Sequence, residues 1–287
     1  MSDVSLRVIV FTDMPEVAAA YPQLLAAHGH RLVGVVTSRK RNPNVAHVVS
    51  NVPDTATVIV SDTPRYWASM LAPMQPDLII STVFPWRIPQ AVIDLPRLGA
   101  FNIHPSLLPK YRGTMTPNWT LLNGERQSGI TAHRMVADFD AGPILAQAAF
   151  EVSDDDDLAA YMQALYTHAP AVVSAALQRV IAGDPGEPQD ESQATYFGVM
   201  PETHRIIDWN SPARRVYNQV RAYAAMVEPP GAVGTIDEVP SRIFQARLLP
   251  TNTVAGIEPG TIIDRDDEGV TIQCADGPIK VLTYVPV

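Results

Sequence analysis

An amide, an imidazole and a carboxylate have types and spacing that could do chemistry together. Asn102 and His104 lie two apart in Phe101-Asn-Ile-His-Pro-Ser106, and Asp140 opens an Asp-Ala-Gly-Pro turn further on. On a strand, a spacing of two sends both side chains to the same side. Pro105 then ends the ladder at once. An amide N–H and a ring N–H projecting together can hold negative charge developing on an oxygen, and one such donor is worth about 2.7–4 kcal/mol. A carboxylate beside an imidazole tunes its protonation and helps move protons. Each residue also has an ordinary role. Asn102 can cap the following loop, His104 can bond a backbone carbonyl, and Asp140 can simply form a turn.

Other chemistries lose ground on the same chain. Phe11-Thr-Asp-Met-Pro15 stands where a G-x-G-x-x-G would follow the first strand. There is no G-x-x-x-x-G-K-[ST] phosphate loop, no H-E-x-x-H helix and no G-x-S-x-G elbow. The run Ser153-Asp-Asp-Asp-Asp157 invites a metal reading, yet Ser153 reads better as the N-cap of a helix with aspartates in its first turn. Cys274 is the single cysteine, which excludes an internal disulfide or a multi-cysteine metal site. No metal is expected.

Positioned elements must carry these residues. Arg7–Phe11, Leu32–Thr37, Thr57–Val60, Asp77–Ser81 and Ala100–Ile103 are short apolar runs, and Pro15–Ala27 and Thr63–Leu71 show helical spacing. Apolar strands alternating with helices predict an α/β domain with a doubly wound, Rossmann-like, mostly parallel sheet. Ligands bind such sheets at the strands' carboxyl ends, which is where Asn102 and His104 fall. Ile130–Val136 and Ile144–Val152 read as two more strands joined by the turn 137–143, followed by a long helix to about Ile181. Residues 183–192 (GDPGEPQDES) read as a linker. Pro212–Ala222 reads as a short helix, and short strands punctuated by Gly and Pro follow from Gly231, predicting a smaller β-barrel of the oligonucleotide-binding type. The domains expected are 1–192 and 193–287.

The chain has 287 residues, 46% hydrophobic and 18% charged, which excludes wholesale disorder. Its net charge of −9 counts against unaided capture of nucleic acid. No apolar run approaches the roughly 18 residues that span a bilayer, and no signal-peptide pattern opens the chain. A cytoplasmic location is expected.

The stretch FNIHPSLLPKYRG, then NGE, SGITAHRM and DAGPI, resembles the signature of the 10-formyltetrahydrofolate-dependent formyltransferases. IIDWNSPARRVYNQVRA and PPGA resemble the linker and second domain of the methionyl-tRNA and UDP-4-amino-4-deoxy-L-arabinose members, the arabinose type most closely. The resemblance implies attack of an acceptor amine on the formyl carbon of 10-formyltetrahydrofolate. Asn102 and His104 then form the oxyanion hole, and Asp140 sits beside His104. It implies folate contacts through Phe84, Trp86, Arg87 and Ile88 on one side and Val136 and Asp138 on the other. Pro85 departs from the pattern and removes a backbone donor. Ser106, Tyr111 and Arg112 are acceptor-side candidates, Arg112 as a fork for an anion; bracing the loop is the alternative. Trp119 is expected in the core and His133 as a structural strand residue.

The acceptor expected is a small-molecule amine, a sugar-nucleotide amine first and an amino acid, peptide or other biosynthetic amine next. From Arg205 to Val287 there are 8 Arg/Lys against 10 Asp/Glu, and only Arg39-Lys40-Arg41 stands where the tRNA enzymes carry a long basic loop. That counts against tRNA. Thr114 follows Tyr-Arg-Gly where the arabinose type has a basic residue, so its acceptor's anionic group need not be shared. Methionyl-tRNA formylation and, from another class, folate binding without catalysis are the alternatives. The second domain could pair two subunits in a homodimer.

Overall fold

The computed structural model describes residues 5–40, 42–225, 229–250 and 256–287. Arg41 of the basic trio and residues 1–4 of the amino terminus lie outside the described residues. The first part of the chain runs β1 (Arg7–Phe11), α1 (Pro15–Ala27), β2 (Arg31–Thr37), α2 (Val45–Ser50), β3 (Thr57–Val60), α3 (Trp67–Leu71), β4 (Leu78–Thr82), α4 (Gln90–Ile93) and β5 (Ala100–His104). It continues through β6 (Arg112–Gly113), α5 (Thr116–Asn123), β7 (Gln127–Arg134), β8 (Ile144–Glu151), α6 (Leu158–Ile181) and β9 (Tyr196–Phe197). The last part holds α7 (Ala213–Tyr223), β10 (Ala232–Ile236), β11 (Val239–Leu248), β12 (Ile262–Asp266), β13 (Gly269–Gln273) and β14 (Pro278–Pro286).

Seven strands form one sheet in the order β3-β2-β1-β4-β5-β7-β8. Strands β1 to β5 pair in parallel, and β7 runs antiparallel to β5. The chain winds outward from β1 in both directions, so the strand ends at the reversal leave the crevice expected of this fold. The parallel strands are apolar without alternation because helices cover both faces. Val8 to Phe11 and Leu78 to Ile80 are fully buried, each such side chain contributing about 1.5–3 kcal/mol. Phe11, Trp67 and Phe84 pack with ring centroids 5.2–5.5 Å apart, which anchors the segment leaving β4 to the core.

Two of the shifted boundaries have a visible cause. β7 begins at Gln127, not Ile130, because buried Ser128 satisfies its hydroxyl on Tyr161 at 2.5 Å and continues the strand. The long helix begins at Leu158, and Ser153 is not its cap. Asp157 caps it instead: its Oδ1 accepts from the Ala160 amide at 2.9 Å. Asp156 turns back to accept from the Ser153 amide at 2.8 Å.

The chain divides into two compact units, Met1–Arg112 with Gly129–Ala149 and Leu165–Thr195, and Gly113–Ser128 with Phe150–Ala164 and Tyr196–Val287. The second holds a five-stranded antiparallel sheet in the order β10-β11-β14-β13-β12. Helix α7 opens with its Ala213 amide donating to Asp276 at 2.7 Å. Trp119 is core, as expected, with its Nε1 donating to the Gly198 carbonyl at 2.8 Å.

Candidate active site

Strand β5 delivers Asn102 and His104 to its carboxyl end, and the antiparallel partner β7 sets His133 directly opposite Asn102. Cross-strand partners on one face stand close enough to bond. Asn102 Nδ2 lies 3.3 Å from His133 Nε2. His133 Nδ1 lies 2.9 Å from the Arg134 carbonyl. A carbonyl only accepts, so Nδ1 carries a proton, and Nε2 when unprotonated accepts from Asn102. One amide hydrogen of Asn102 is therefore held by His133, leaving the other for a reactant.

His104 is buried, with Nε2 2.7 Å from the Tyr111 carbonyl. By the same logic Nε2 donates, and Nδ1 carries a proton only when the ring is charged. Tyr111 has a φ of 59°, which turns its carbonyl to this role. Asp140, with a φ of 54°, sits in the turn between β7 and β8. Its Oδ1 is 3.6 Å from His104 Nδ1 and 3.4 Å from His133 Nε2. Either contact becomes an ion pair only when the ring concerned is charged. Burial holds the His104 pKa below its ordinary value, against opposing pulls from the Asp140 charge and the Tyr111 carbonyl. The neutral ring is thus the resting form at neutral pH.

Gly142 lets the Asp140 turn close on β7, since a Cβ there would overlap the Arg134 carbonyl oxygen. The loop after β7 meets the segment after β4 through Arg87. Its Nη2 donates to the Ala137 carbonyl at 2.7 Å, and its guanidinium stands 5.5 Å from the Phe139 ring centre. A cavity of about 410 Å³ opens beside this loop, lined among others by Ile93, Ala100, Met135 and Val136. Of the expected folate contacts, Val136 lines that cavity; Ile88 belongs to the core, and Phe84 and Trp86 pack against it. Asp138 is exposed on the loop.

The acceptor-side candidates point inward. Ser106 is fully buried, its hydroxyl donating to the Lys110 carbonyl at 2.8 Å. The Tyr111 side chain is buried. Arg112 has no exposed surface: its fork grips the Glu191 carboxylate at 2.7 and 2.9 Å and Gln189 Oε1 at 2.8 and 3.1 Å. The bracing alternative describes this geometry, because a guanidinium so engaged has no free face for an anion.

His133 is the site residue that sequence reasoning missed. Period-two alternation shows that a strand residue faces one side. Only the β5–β7 register shows that the side it faces holds Asn102. Among the described residues no group of histidine, cysteine and carboxylate side chains could hold a metal ion, and no helix is long and apolar enough to cross a membrane.

Comparison with known proteins agrees with the chemistry. The family described as Formyl transferase matches residues 7–177, and Formyl transferase, C-terminal domain, matches residues 200–286. A methionyl-tRNA formyltransferase of Pelobacter propionicus is 31% identical over 288 residues, covering 96% of this chain and 88% of that protein. One from Staphylococcus aureus is 31% identical over 278 residues, covering 93% and 88%. An N-formyltransferase from Helicobacter canadensis, solved with folinic acid and dTDP-3-aminofucose, superposes with a TM-score of 0.71 at 20% identity over 97% of this chain and 99% of that one. HypX from Aquifex aeolicus, solved with tetrahydrofolic acid, gives 0.71 at 21% identity. The chain matches 44% of HypX, with 99% of its own length covered. At such identities the solved structures show the shared fold. The two family matches and the relatives at 31% identity go further: this chain is an enzyme of the formyl transferase family.

Proposed function

We propose that the protein transfers the formyl group of 10-formyltetrahydrofolate to the primary amine of a small molecule, a sugar-nucleotide amine foremost. The observation that carries the reading is the constellation of Asn102, His104 and Asp140 at the carboxyl end of β5, in a chain of this family. The free Asn102 N–H faces the formyl oxygen as negative charge grows there. The acceptor nitrogen forms a bond to the formyl carbon, and the bond from that carbon to N10 then breaks. The proton lost by the amine enters the His104–Asp140–His133 group, and N10 takes up one as tetrahydrofolate leaves.

The ring N–H of His104 is already given to Tyr111. His104 therefore assists the oxyanion only once its ring is doubly protonated; in the resting enzyme it serves as the base. The cavity beside residues 135–137 suits a flat, hydrogen-bonding ring, with Arg87 fixing the loop. Residues 1–192 form the catalytic domain in this reading and residues 193–287 the accessory one, and the enzyme works in the cytoplasm.

A methionyl-tRNA acceptor is the second reading, favoured by the 31% identity to enzymes of that name. The 8 Arg/Lys against 10 Asp/Glu of residues 205–287 oppose it, because phosphate contacts drive such binding.

Titration with 5-formyltetrahydrofolate, a stable donor analogue, tests the donor half without an acceptor. Binding should quench the tryptophan emission through Trp86, and Arg87→Ala should weaken it about tenfold, equivalent to one charge-assisted bond. No binding by the folded protein contradicts the folate reading.

A further inference from the structure

Residues 183–192, expected as a linker, run along the turn that carries Asp140. Ile144 and Glu187 exchange two backbone hydrogen bonds of 2.8 Å each. Beyond them the Gln189 side chain closes over the turn. Its Nε2 donates to the Asp140 and Gly142 carbonyls, each at 2.7 Å. Its Oε1 accepts from Arg112 at 2.8 and 3.1 Å. Both amide hydrogens and the amide oxygen are thus engaged. Arg112 is itself fully buried and forked onto Glu191. The residue gripped at the other end has a φ of 54°, a region that non-glycine residues seldom occupy without support. Two hydrogen bonds on either side of Ala141 fix the direction in which the Asp140 side chain leaves the backbone.

We propose that Gln189, oriented by Arg112, is a positioning residue for Asp140: it holds the turn that aims the carboxylate between His104 and His133. The inference rests on the reading of Asp140 as the proton-handling carboxylate. It gives the buried arginine of the Tyr-Arg-Gly motif a task inside the enzyme, and it makes the polar segment a strap across the site. Gln189 touches no reactant and acts only through Asp140.

The test is the titration of His104, followed by NMR of the full chain with 15N-labelled histidine rings. The titratable groups facing His104 are Asp140 from the turn and His133 from β7. Asp140→Asn removes the charge that favours the imidazolium, so the midpoint falls. Gln189→Met keeps the side-chain length and removes both donors. The midpoint should fall in the same direction, by about half a pH unit or more, and adding Gln189→Met to Asp140→Asn should cause no further fall. If Gln189→Met fails to fold, Gln189→Leu removes both donors from the turn without adding a charge; the same fall is expected. A wild-type midpoint in a folded Gln189 variant, beside a lowered one in Asp140→Asn, overturns the strap and leaves the Asp140–His104 coupling standing. An unchanged midpoint in Asp140→Asn overturns that coupling and the strap with it.

Discussion

Asn102 has two amide hydrogens, one directed at His133; in the proposed reaction the other is offered to the formyl oxygen. Asn102→Ala should lower kcat by about 10²–10³-fold, the loss of one oxyanion donor, with KM for the donor little changed; steady-state kinetics on the folded variant measures it. The buried neutral His104 makes a prediction about stability. Its folded pKa lies below the unfolded value of 6.5, so the unfolded chain binds the proton more tightly. The contribution is present above about pH 6.5 and is lost as the pH falls through the folded value. His104→Gln should therefore flatten the decline in Tm below that pH, as followed by thermal melts. Asn102, His104 and Asp140 were singled out in the sequence by a family resemblance as much as by type and spacing, and the structure brings their side chains together. His133 was not, since its task comes from a partner strand paired in a register that composition does not carry. Arg112 stayed open between two roles for a related reason: an arginine's fork reads the same whether it meets a ligand or, as here, Glu191 and Gln189.

Among the elements, those built from continuous apolar runs were legible almost to the residue: β1, α1 and β3 fall where the pattern puts them. Elements closed by polar side chains were harder to read. The start of α6 depends on which of five acidic-run residues turns its side chain onto the first free amide, and that residue is Asp157. Asp157→Ala should cost about 1 kcal/mol of cap energy and lower Tm by a few degrees, roughly 2–4 °C, while Ser153→Ala should leave it unchanged; calorimetry of both variants decides. The segment 183–192 has linker composition yet pairs with Ile144, because Gly, Pro and Asp describe how a chain turns and not what it lies against. At Gly142 the turn closes against the Arg134 carbonyl. Gly142→Ala must open that turn and move Asp140, so turnover should fall at least tenfold at unchanged donor binding, measurable by comparing kcat with 5-formyltetrahydrofolate affinity.

The molecule as a whole is a formyl transferase family enzyme with a net charge of −9. Its second unit offers a small antiparallel sheet and no excess of basic residues. A polyanion held by phosphate contacts would lose affinity steeply with salt; a small amine would not. Turnover on the true acceptor should accordingly vary by less than about threefold between low and physiological ionic strength, as an activity series in potassium chloride would show. The most direct measurement incubates the enzyme with 10-formyltetrahydrofolate and separate pools of sugar-nucleotide amines, amino acids, small peptides and charged initiator tRNA. Mass spectrometry then reads the gain of a formyl group, and absorbance reads tetrahydrofolate release. Formylation in a small-molecule pool, strongest among the sugar nucleotides and abolished by Asp140→Asn, is the result predicted. Formylation of the charged tRNA alone, or tetrahydrofolate release with no formylated product, would contradict it.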